Sequence, residues 1–179
     1  MVDPITTRRL TYWAMFFAIS ALVIFLRILP LDITPGGWPG PDWTIAIAFA
    51  WVLRRPDYVP VVLFAAVVLL NDMIFLRAPG LWTGLSVIGF EFLRSRTQIT
   101  REMPFVFEWA MVTAVLLAMI LANRLILAIF FVGQPSLRMD ALLIVATSAA
   151  YPMIVIISAL VLGMQKIVPG SVDHLGHPL

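Results

Sequence analysis

The sequence predicts an all-α integral membrane protein, a single domain of six transmembrane helices with both termini in the cytoplasm. Of its 179 residues, 61% are hydrophobic and only 12% are charged, and the mean hydropathy is +0.99. A water-soluble domain has about 45–50% apolar and about 25% charged residues, so this chain carries more apolar surface than a soluble core can bury. At about 20 apolar residues for each spanning helix, its length accommodates six spans and leaves no separate soluble domain.

Prolines, glycines and arginines divide the chain into six apolar segments. The first follows Arg8 and Arg9 and exceeds the apolar region of about 7–15 residues in a signal peptide, so we expect it to be retained. Arg54-Arg55-Pro56-Asp57 ends the second, because the residue before a proline disfavours helical geometry. Tyr151-Pro152 predicts a kink in the last. The predicted spans are residues 10–29, 42–53, 58–76, 81–93, 105–132 and 137–165, followed by a short cytoplasmic tail at 166–179.

The positions of lysine and arginine predict the orientation, because cytoplasmic loops carry an excess of both. With the termini inside, Arg77 and Arg138 lie outside, and Arg27 and Arg124 lie within spans. The other eight of the 12 basic residues are then cytoplasmic: Arg8, Arg9, Arg54, Arg55, Arg94, Arg96, Arg101 and Lys166. The basic face expected to meet anionic lipid consists of Arg54, Arg55, Arg94, Arg96 and Arg101. The net charge of +2 is small, so nucleic acid is not an expected partner.

The second and fourth segments are short and begin alike. Trp43-Thr44 starts one and Trp82-Thr83 starts the other, with Pro-Gly before each and Leu-Arg at the end of each. This similarity has three interpretations: the same boundary signals recur at two outer interfaces, paired short helices border a cavity, as in transporters built from repeats, or the similarity is due to chance. Near the opposite boundary, Glu91 and Glu108 are expected to extend their carboxylates into the interface.

Five polar residues are predicted to lie at similar depth in the outer half of the membrane. They are Arg27, Asn71, Asp72, Asn123 and Arg124. Ionisable residues within spans are rare and count as functional candidates. An interhelical polar clamp, a partner-binding site and a proton relay are all open interpretations, although one carboxylate makes a poor relay. Asp72 is expected to pair with Arg27 first or Arg124 second, because an opposite charge offsets the cost of about 2.5–3.5 kcal/mol for an unpaired charge.

Small residues recur at every fourth position of the fifth span, as Ala114, Ala118 and Ala122. Small side chains at this spacing let helices approach closely in a membrane. The contact is either internal or to another subunit, and we expect it to be internal because six spans have a core to pack.

Side chains that carry chemistry are scarce. The chain has no cysteine, and its two histidines, His174 and His177, lie in the tail. It contains no His-Glu-x-x-His zinc motif, no Gly-x-Ser-x-Gly motif and no Gly-rich phosphate-binding loop. Only Asp72 qualifies as an intramembrane aspartate. We therefore expect a protein that is not an enzyme, without catalytic residues, metal or cofactor.

One stretch of the sequence resembles a known family. The residues that carry the likeness are Pro41-Asp42, Trp51-x-Leu53-Arg54-Arg55-Pro56-Asp57, Asp72, Arg77-Ala78-Pro79-Gly80-Leu81-Trp82 and Glu91-Phe92-Leu93-Arg94. They resemble the MreD family of bacterial rod shape-determining membrane proteins, especially its alphaproteobacterial form. The likeness covers residues 40–109, and elsewhere the predicted topology alone agrees. The first helix and the proline-rich tail depart from the family pattern.

The resemblance implies a non-enzymatic scaffold of the cell-elongation complex, which regulates peptidoglycan synthesis at the bacterial inner membrane. It implies an MreC-like protein as the binding partner, with MreB, RodA and a class B penicillin-binding protein in a larger complex. Members of this family are also similar in fold to the substrate-capture (S) subunits of energy-coupling-factor transporters, which bind small molecules near the outer face. The alternative function is therefore a small-solute capture subunit of a membrane transporter.

Overall fold

The structure is a computed structural model that describes residues 4–29 and 40–162. These two ranges contain seven α-helices and no strand. The helices are α1 (Pro4–Ile28), α2 (Trp43–Arg54), α3 (Val61–Ile74), α4 (Leu81–Ser95), α5 (Thr97–Glu102), α6 (Phe105–Ile129) and α7 (Leu137–Leu162). The predicted all-helical character is confirmed. Residues 163–165 of the last predicted span, the tail with both histidines and most of the 30–41 turn lie outside the described residues.

Three of the described helices are long and apolar enough to cross a membrane. These segments are Arg9–Ile28, Phe105–Ile129 and Leu137–Val161. Trp43–Arg54 and Val61–Ile74 are apolar but shorter. At about 1.5 Å per residue, the 12 residues of α2 extend only about 18 Å, less than the bilayer core of about 30 Å. The protein thus has the helical composition of a membrane protein, with long and short helices combined.

Several helix boundaries differ from the sequence prediction. The first helix begins at Pro4 rather than residue 10, and the third begins at Val61 rather than 58, because Pro56–Tyr58 forms a separate 3-10 turn. The predicted spans leave residues 94–104 outside any helix, but Thr97–Glu102 is a short helix. The last helix continues through Pro152 and remains helical on both sides of it.

Contacts between helix termini show how the helices are directed. Arg54, the last residue of α2, lies 2.8 Å from Glu108 in the first turn of α6. Arg9 in α1 lies 3.3 Å from Asp57, in the turn that follows α2. The end of α2 therefore lies beside the starts of α1 and α6, and we call this side of the molecule the Arg54 end.

The opposite side is the Arg77 end. Arg77 follows α3 and lies 3.8 Å from Asp42, which precedes α2. Arg27, near the end of α1, stacks on the ring of Phe75 at 4.6 Å, and Asp140 in the first turn of α7 lines a cavity together with Arg77. Six helices, all but α5, therefore alternate in direction, and the start of α1 and the end of α7 lie at the Arg54 end.

Helix α2 occupies the centre of the fold. All of its residues from Thr44 to Arg54 are buried, and α1, α3, α4 and α7 contact it. A helix that is apolar all round is typical of such a position. Two hydrogen bonds connect this region to α7: the Asp42 N–H donates to Thr147 Oγ1 at 3.0 Å, and the Trp51 indole donates to Ser158 Oγ at 3.1 Å.

Candidate functional site

A cavity of about 360 Å³ opens at the Arg77 end of the molecule. The turn after α3, the start of α4, the second half of α6, the α6–α7 turn and the start of α7 all contribute to its wall. Its polar or aromatic lining residues are Arg77, Trp82, Asn123 and Asp140. Two residues of the predicted site, Trp82 and Asn123, therefore line one cavity. Its lining includes α4 but no residue of α2, so this cavity is not bordered by both short helices. We call this feature the Arg77 cavity.

The polar groups of this cavity are only partly satisfied. The Arg77 guanidinium lies 5.7 Å from the centre of the Trp82 ring and 3.8 Å from Asp42 Oδ2. Trp82 is 7% exposed, and among the described residues neither its indole N–H nor Asp42 Oδ2 has a hydrogen-bond partner. A buried donor without a partner has a free-energy cost of about 1–3 kcal/mol. Trp82, which lines the cavity, and Asp42, which lies behind Arg77, therefore carry buried polar atoms that no described residue satisfies.

Asp72 caps the start of α4 from the neighbouring helix α3. Its buried Oδ2 accepts hydrogen bonds from the Thr83 backbone N–H at 3.1 Å and from the Thr83 hydroxyl at 2.8 Å. Thr83 is the third residue of α4, so its N–H has no partner within the helix, and the positive helix terminus favours a carboxylate. The predicted pairing of Asp72 with Arg27 or Arg124 is wrong, because neither arginine forms an ion pair with it in the described structure.

Arg124 instead stabilises the turn between α6 and α7. Its guanidinium forms an ion pair and hydrogen bond with Asp140 and donates to the Pro135 carbonyl at 3.1 Å. The side-chain amide of Gln134 returns a hydrogen bond to the Arg124 carbonyl at 3.2 Å. This network holds the turn that forms one wall of the Arg77 cavity. Beside Asp72, Asn71 is buried and its Oδ1 accepts no hydrogen bond from any described residue.

Two large apolar side chains project from helix ends beside the Arg77 cavity. Leu76 lines the cavity and Phe131 directly precedes the lining residue Val132, and we call these two positions the rim. Leu76 follows α3 with φ 51° and is 92% exposed, and Phe131 follows α6 with φ 54° and is 97% exposed. Both occupy the left-handed position of a Schellman-type helix end, where Arg77 N–H bonds the Asp72 carbonyl and Val132 N–H bonds the Leu127 carbonyl. Glycine usually occupies this position, because a side chain is strained there.

The predicted alanine face of α6 is not an internal helix contact. Ala114 and Ala118 are exposed, and with the half-buried Ala122 they line an apolar groove between α4 and α6. We call it the α4–α6 groove; its volume is about 470 Å³. The close approach of these two helices occurs at Gly89 instead, where an added Cβ would lie 2.9 Å from Val115 Cγ1. The expectation of an internal contact at Ala114 and Ala118 is therefore wrong.

A buried polar cluster at the Arg54 end was missed by the sequence analysis. Glu108 Oε1 accepts a hydrogen bond from Arg54 Nη1 at 2.8 Å and another from the Tyr151 hydroxyl at 2.5 Å, and all three side chains are buried. Arg54 also donates to the Ala50 carbonyl at 3.0 Å. Arg54 therefore does not belong to an exposed basic face, and the Glu108 carboxylate does not extend into an interface.

The remaining predicted residues lie at the surface or near it. Arg94 and Arg96 are exposed, whereas Arg55 and Arg101 are half-buried. Glu91 is exposed and pairs with Arg94 at 3.2 Å. Trp43 is half-buried and packs against the core. The exposed part of the predicted basic face is therefore smaller than expected and is centred on the end of α4.

The residues that line the Arg77 cavity bring together a guanidinium, an indole, an amide and a carboxylate, which are groups able to bind a ligand or a protein by charge and hydrogen bonding. The sequence analysis did not identify Asp140. Its position in the first turn of α7, 16 residues after Arg124, is the signal that could have suggested this pair. No group of three or more metal-ligating side chains occurs in residues 4–29 and 40–162. Comparisons of the chain with protein-family models, with curated proteins and with solved structures gave no match.

Proposed function

We propose that this protein is a non-enzymatic scaffold subunit of the bacterial cell-elongation complex and binds an MreC-like protein at its Arg77 end. The resemblance of residues 40–109 to the MreD family supports this assignment. In this proposal the chain crosses the inner membrane six times with both termini in the cytoplasm. The alternating direction of six helices and the distribution of the arginines support that topology.

The observation that carries the proposal is the pair of strained, exposed side chains at the rim of the Arg77 cavity. Leu76 and Phe131 are 92% and 97% exposed, so neither contributes to the core of the fold. A residue held in a sparsely populated conformation has a cost of about 1–3 kcal/mol. In the isolated chain the apolar surface of these side chains stays exposed. A partner that covers them buries this surface, and the free energy gained offsets the cost of the strained backbone.

In the proposed complex, the juxtamembrane or transmembrane segment of the MreC-like protein covers this rim. Apolar partner side chains contact Leu76 and Phe131, while Arg77 and Asn123 supply polar contacts inside the cavity. MreB, RodA and a class B penicillin-binding protein belong to the larger assembly. No reaction is needed for this role.

Glycine substitutions at the rim test the proposal without damaging the fold. In Leu76→Gly and Phe131→Gly, the left-handed backbone no longer carries a side chain, so we expect the free energy of unfolding in detergent to stay equal or to rise by up to about 1 kcal/mol. Recovery of an MreC-like protein with the tagged variant from cross-linked membranes should fall several-fold. Val62→Ala, which removes an apolar side chain 81% exposed in α3, is the matched control. Unchanged recovery with both glycine variants would contradict the proposal.

The cavity volume supports capture of a small solute as a second candidate function. Small-molecule sites occupy about 300–1,000 Å³ and combine apolar walls with a few polar groups, and the Arg77 cavity has about 360 Å³. Native mass spectrometry of the purified protein would then show a bound small molecule that is lost in Trp82→Phe. For the scaffold, the unsubstituted protein should already carry no such molecule, and Trp82→Phe should still recover the MreC-like protein.

A further inference from the structure

The α4–α6 groove is an apolar channel on the side of the helical bundle. Its wall consists of Leu85, Ile88, Gly89 and Phe92 from α4 and Met111, Ala114, Val115, Ala118, Met119 and Ala122 from α6. Every one of these side chains is uncharged and unable to donate a hydrogen bond. Exposure of Ala114 and Ala118 leaves the groove open to the surroundings of the bundle, which in a membrane are lipid.

A positive charge stands at one end of this groove. Phe92 is the lining residue of α4 nearest the Arg54 end, and the Arg96 guanidinium lies 5.5 Å from the centre of its ring. Arg96 is exposed and forms no ion pair with any carboxylate among the described residues. Arg94 lies close by, but Glu91 pairs with it at 3.2 Å. The end of the groove therefore carries one uncompensated guanidinium.

The length of the groove matches one leaflet of a bilayer. From Met111 to Ala122 its wall extends over eleven residue steps of α6, which is about 17 Å at about 1.5 Å per residue. Half of the bilayer core is about 15 Å. A transmembrane helix of a partner would continue through both leaflets, whereas an acyl chain that starts at a headgroup beside Arg96 ends where the groove ends.

We propose that the α4–α6 groove binds one acyl chain of an anionic phospholipid whose phosphate is held by Arg96. The apolar wall takes the chain, and the guanidinium selects the negatively charged headgroup. Under the proposed orientation this end lies in the cytoplasmic leaflet, where anionic lipids attract basic residues. The site itself depends on the groove and on Arg96, and it requires no protein partner.

Native mass spectrometry of the full-length protein purified in detergent tests the headgroup. The protein is incubated with equal amounts of phosphatidylglycerol and phosphatidylcholine that have identical acyl chains. We expect preferential retention of phosphatidylglycerol and a loss of about five-fold in Arg96→Gln, with phosphatidylcholine unchanged. Arg138→Gln, which removes an exposed arginine from the start of α7, should behave as the original protein. Equal retention of the two lipids, or no effect of Arg96→Gln, would overturn the proposal.

Filling the groove tests the acyl chain. Ala118→Phe should reduce retention of both lipids, while Ala128→Phe, on the same helix but outside the groove wall, should leave both unchanged. Ala114→Leu provides a smaller change if the phenylalanine variant does not fold. Normal lipid retention in a folded Ala118→Phe variant overturns the site. Loss of a protein dimer with unchanged lipid retention would show that a second copy of the chain occupies the groove, and would also overturn it.

Discussion

The indole N–H of Trp109 donates a hydrogen bond of 2.8 Å to the backbone carbonyl of Ser148. Four residues after Ser148 stands Pro152, inside α7. Proline has no N–H, so the carbonyl four residues earlier loses its helical partner. In a membrane such a carbonyl needs another donor, and Trp109 of α6 supplies it. Trp109 in α6 thus compensates for the missing N–H of a proline in a different helix.

This compensation predicts that the effects of Trp109 and Pro152 substitutions depend on each other. Trp109→Phe should lower the free energy of unfolding by about 1–3 kcal/mol, because a buried carbonyl loses its donor. In a Pro152→Ala background, where the helix regains its own N–H, the same substitution should cost less. Unfolding in mixed detergent micelles measures both effects. Trp13→Phe removes a similar bond, to the Asp57 carbonyl, and should be independent of Pro152. Equal costs of Trp109→Phe in both backgrounds would rule out the compensation.

The buried pair of Arg54 and Glu108 predicts a strong asymmetry between single and double substitutions. Removing one partner leaves a buried charge uncompensated and should cost about 3–5 kcal/mol in unfolding free energy, whereas Arg54→Met combined with Glu108→Leu should cost less than either single change. The exposed pair of Arg94 and Glu91 serves as control, with an expected effect of about 0–1 kcal/mol. A double variant as unstable as the sum of the singles would contradict the pairing.

Asp72 is expected to couple energetically to Thr83 and not to Arg27. Asp72→Ala with Thr83→Val should show a coupling energy of about 1–3 kcal/mol, because the two side chains share a buried hydrogen bond to a charged group. Asp72→Ala with Arg27→Gln should be additive within about 0.5 kcal/mol. Double-mutant cycles of unfolding in detergent measure both energies. A coupling to Arg27 larger than that to Thr83 would overturn the capping role.

Two glycines of α4 should respond in opposite ways to substitution by alanine. At Gly89 the added Cβ would lie 2.9 Å from Val115 Cγ1 and 3.0 Å from Met119 Sδ, so we expect a loss of about 1–3 kcal/mol in unfolding free energy. Val115→Ala should recover part of that loss. At Gly84 nothing lies within 4 Å, and alanine should stabilise the helix by up to about 1 kcal/mol. Equal effects at the two positions would mean that α4 and α6 are not close at Gly89.

The proposed six-span topology predicts the sides of two reporter fusions. A reporter fused after Arg55 should be cytoplasmic, and one inserted at residues 35–39 should be outside, because the arginine distribution and the alternating helices both favour this arrangement. Enzymatic reporters that are active on only one side of the membrane give the measurement. Expression levels of the two fusions control for unequal synthesis, and reversal of either location would contradict the topology.

The positions of several helix starts could be predicted from the sequence, because proline restricts the backbone of the residues next to it. Pro79-Gly80 marks a helix that begins at Leu81, and Pro104 marks one that begins at Phe105, as the structure has them. These signals are local and need no knowledge of the rest of the chain. The start of α3 was misplaced by three residues because Pro56–Tyr58 also forms a short helical turn of its own.

The partners of the charged residues were harder to predict, because they depend on packing between distant segments. Glu108 and Arg54 are 54 positions apart, and each lies near a segment boundary where exposure is the ordinary expectation. For Asp72, the prediction considered only arginines at similar depth as partners. The free N–H groups at the start of α4 are also a positive partner for a carboxylate, and this possibility was overlooked. The alanine spacing in α6 indicated a surface on which another helix could pack closely. The spacing does not show whether a helix of the same chain packs there.

The enclosed position of α2 has a consequence for how the chain is made. Its 12 residues extend only about 18 Å and end in a buried arginine, so α2 inserts poorly on its own, yet it emerges from the ribosome second. Its hydrogen-bond partners Thr147 and Ser158 are 105 and 107 positions away, near the end of synthesis. We therefore expect the packing around α2 to be completed only after α7 has been synthesised. A chain truncated before α7 should become a substrate for membrane proteolysis.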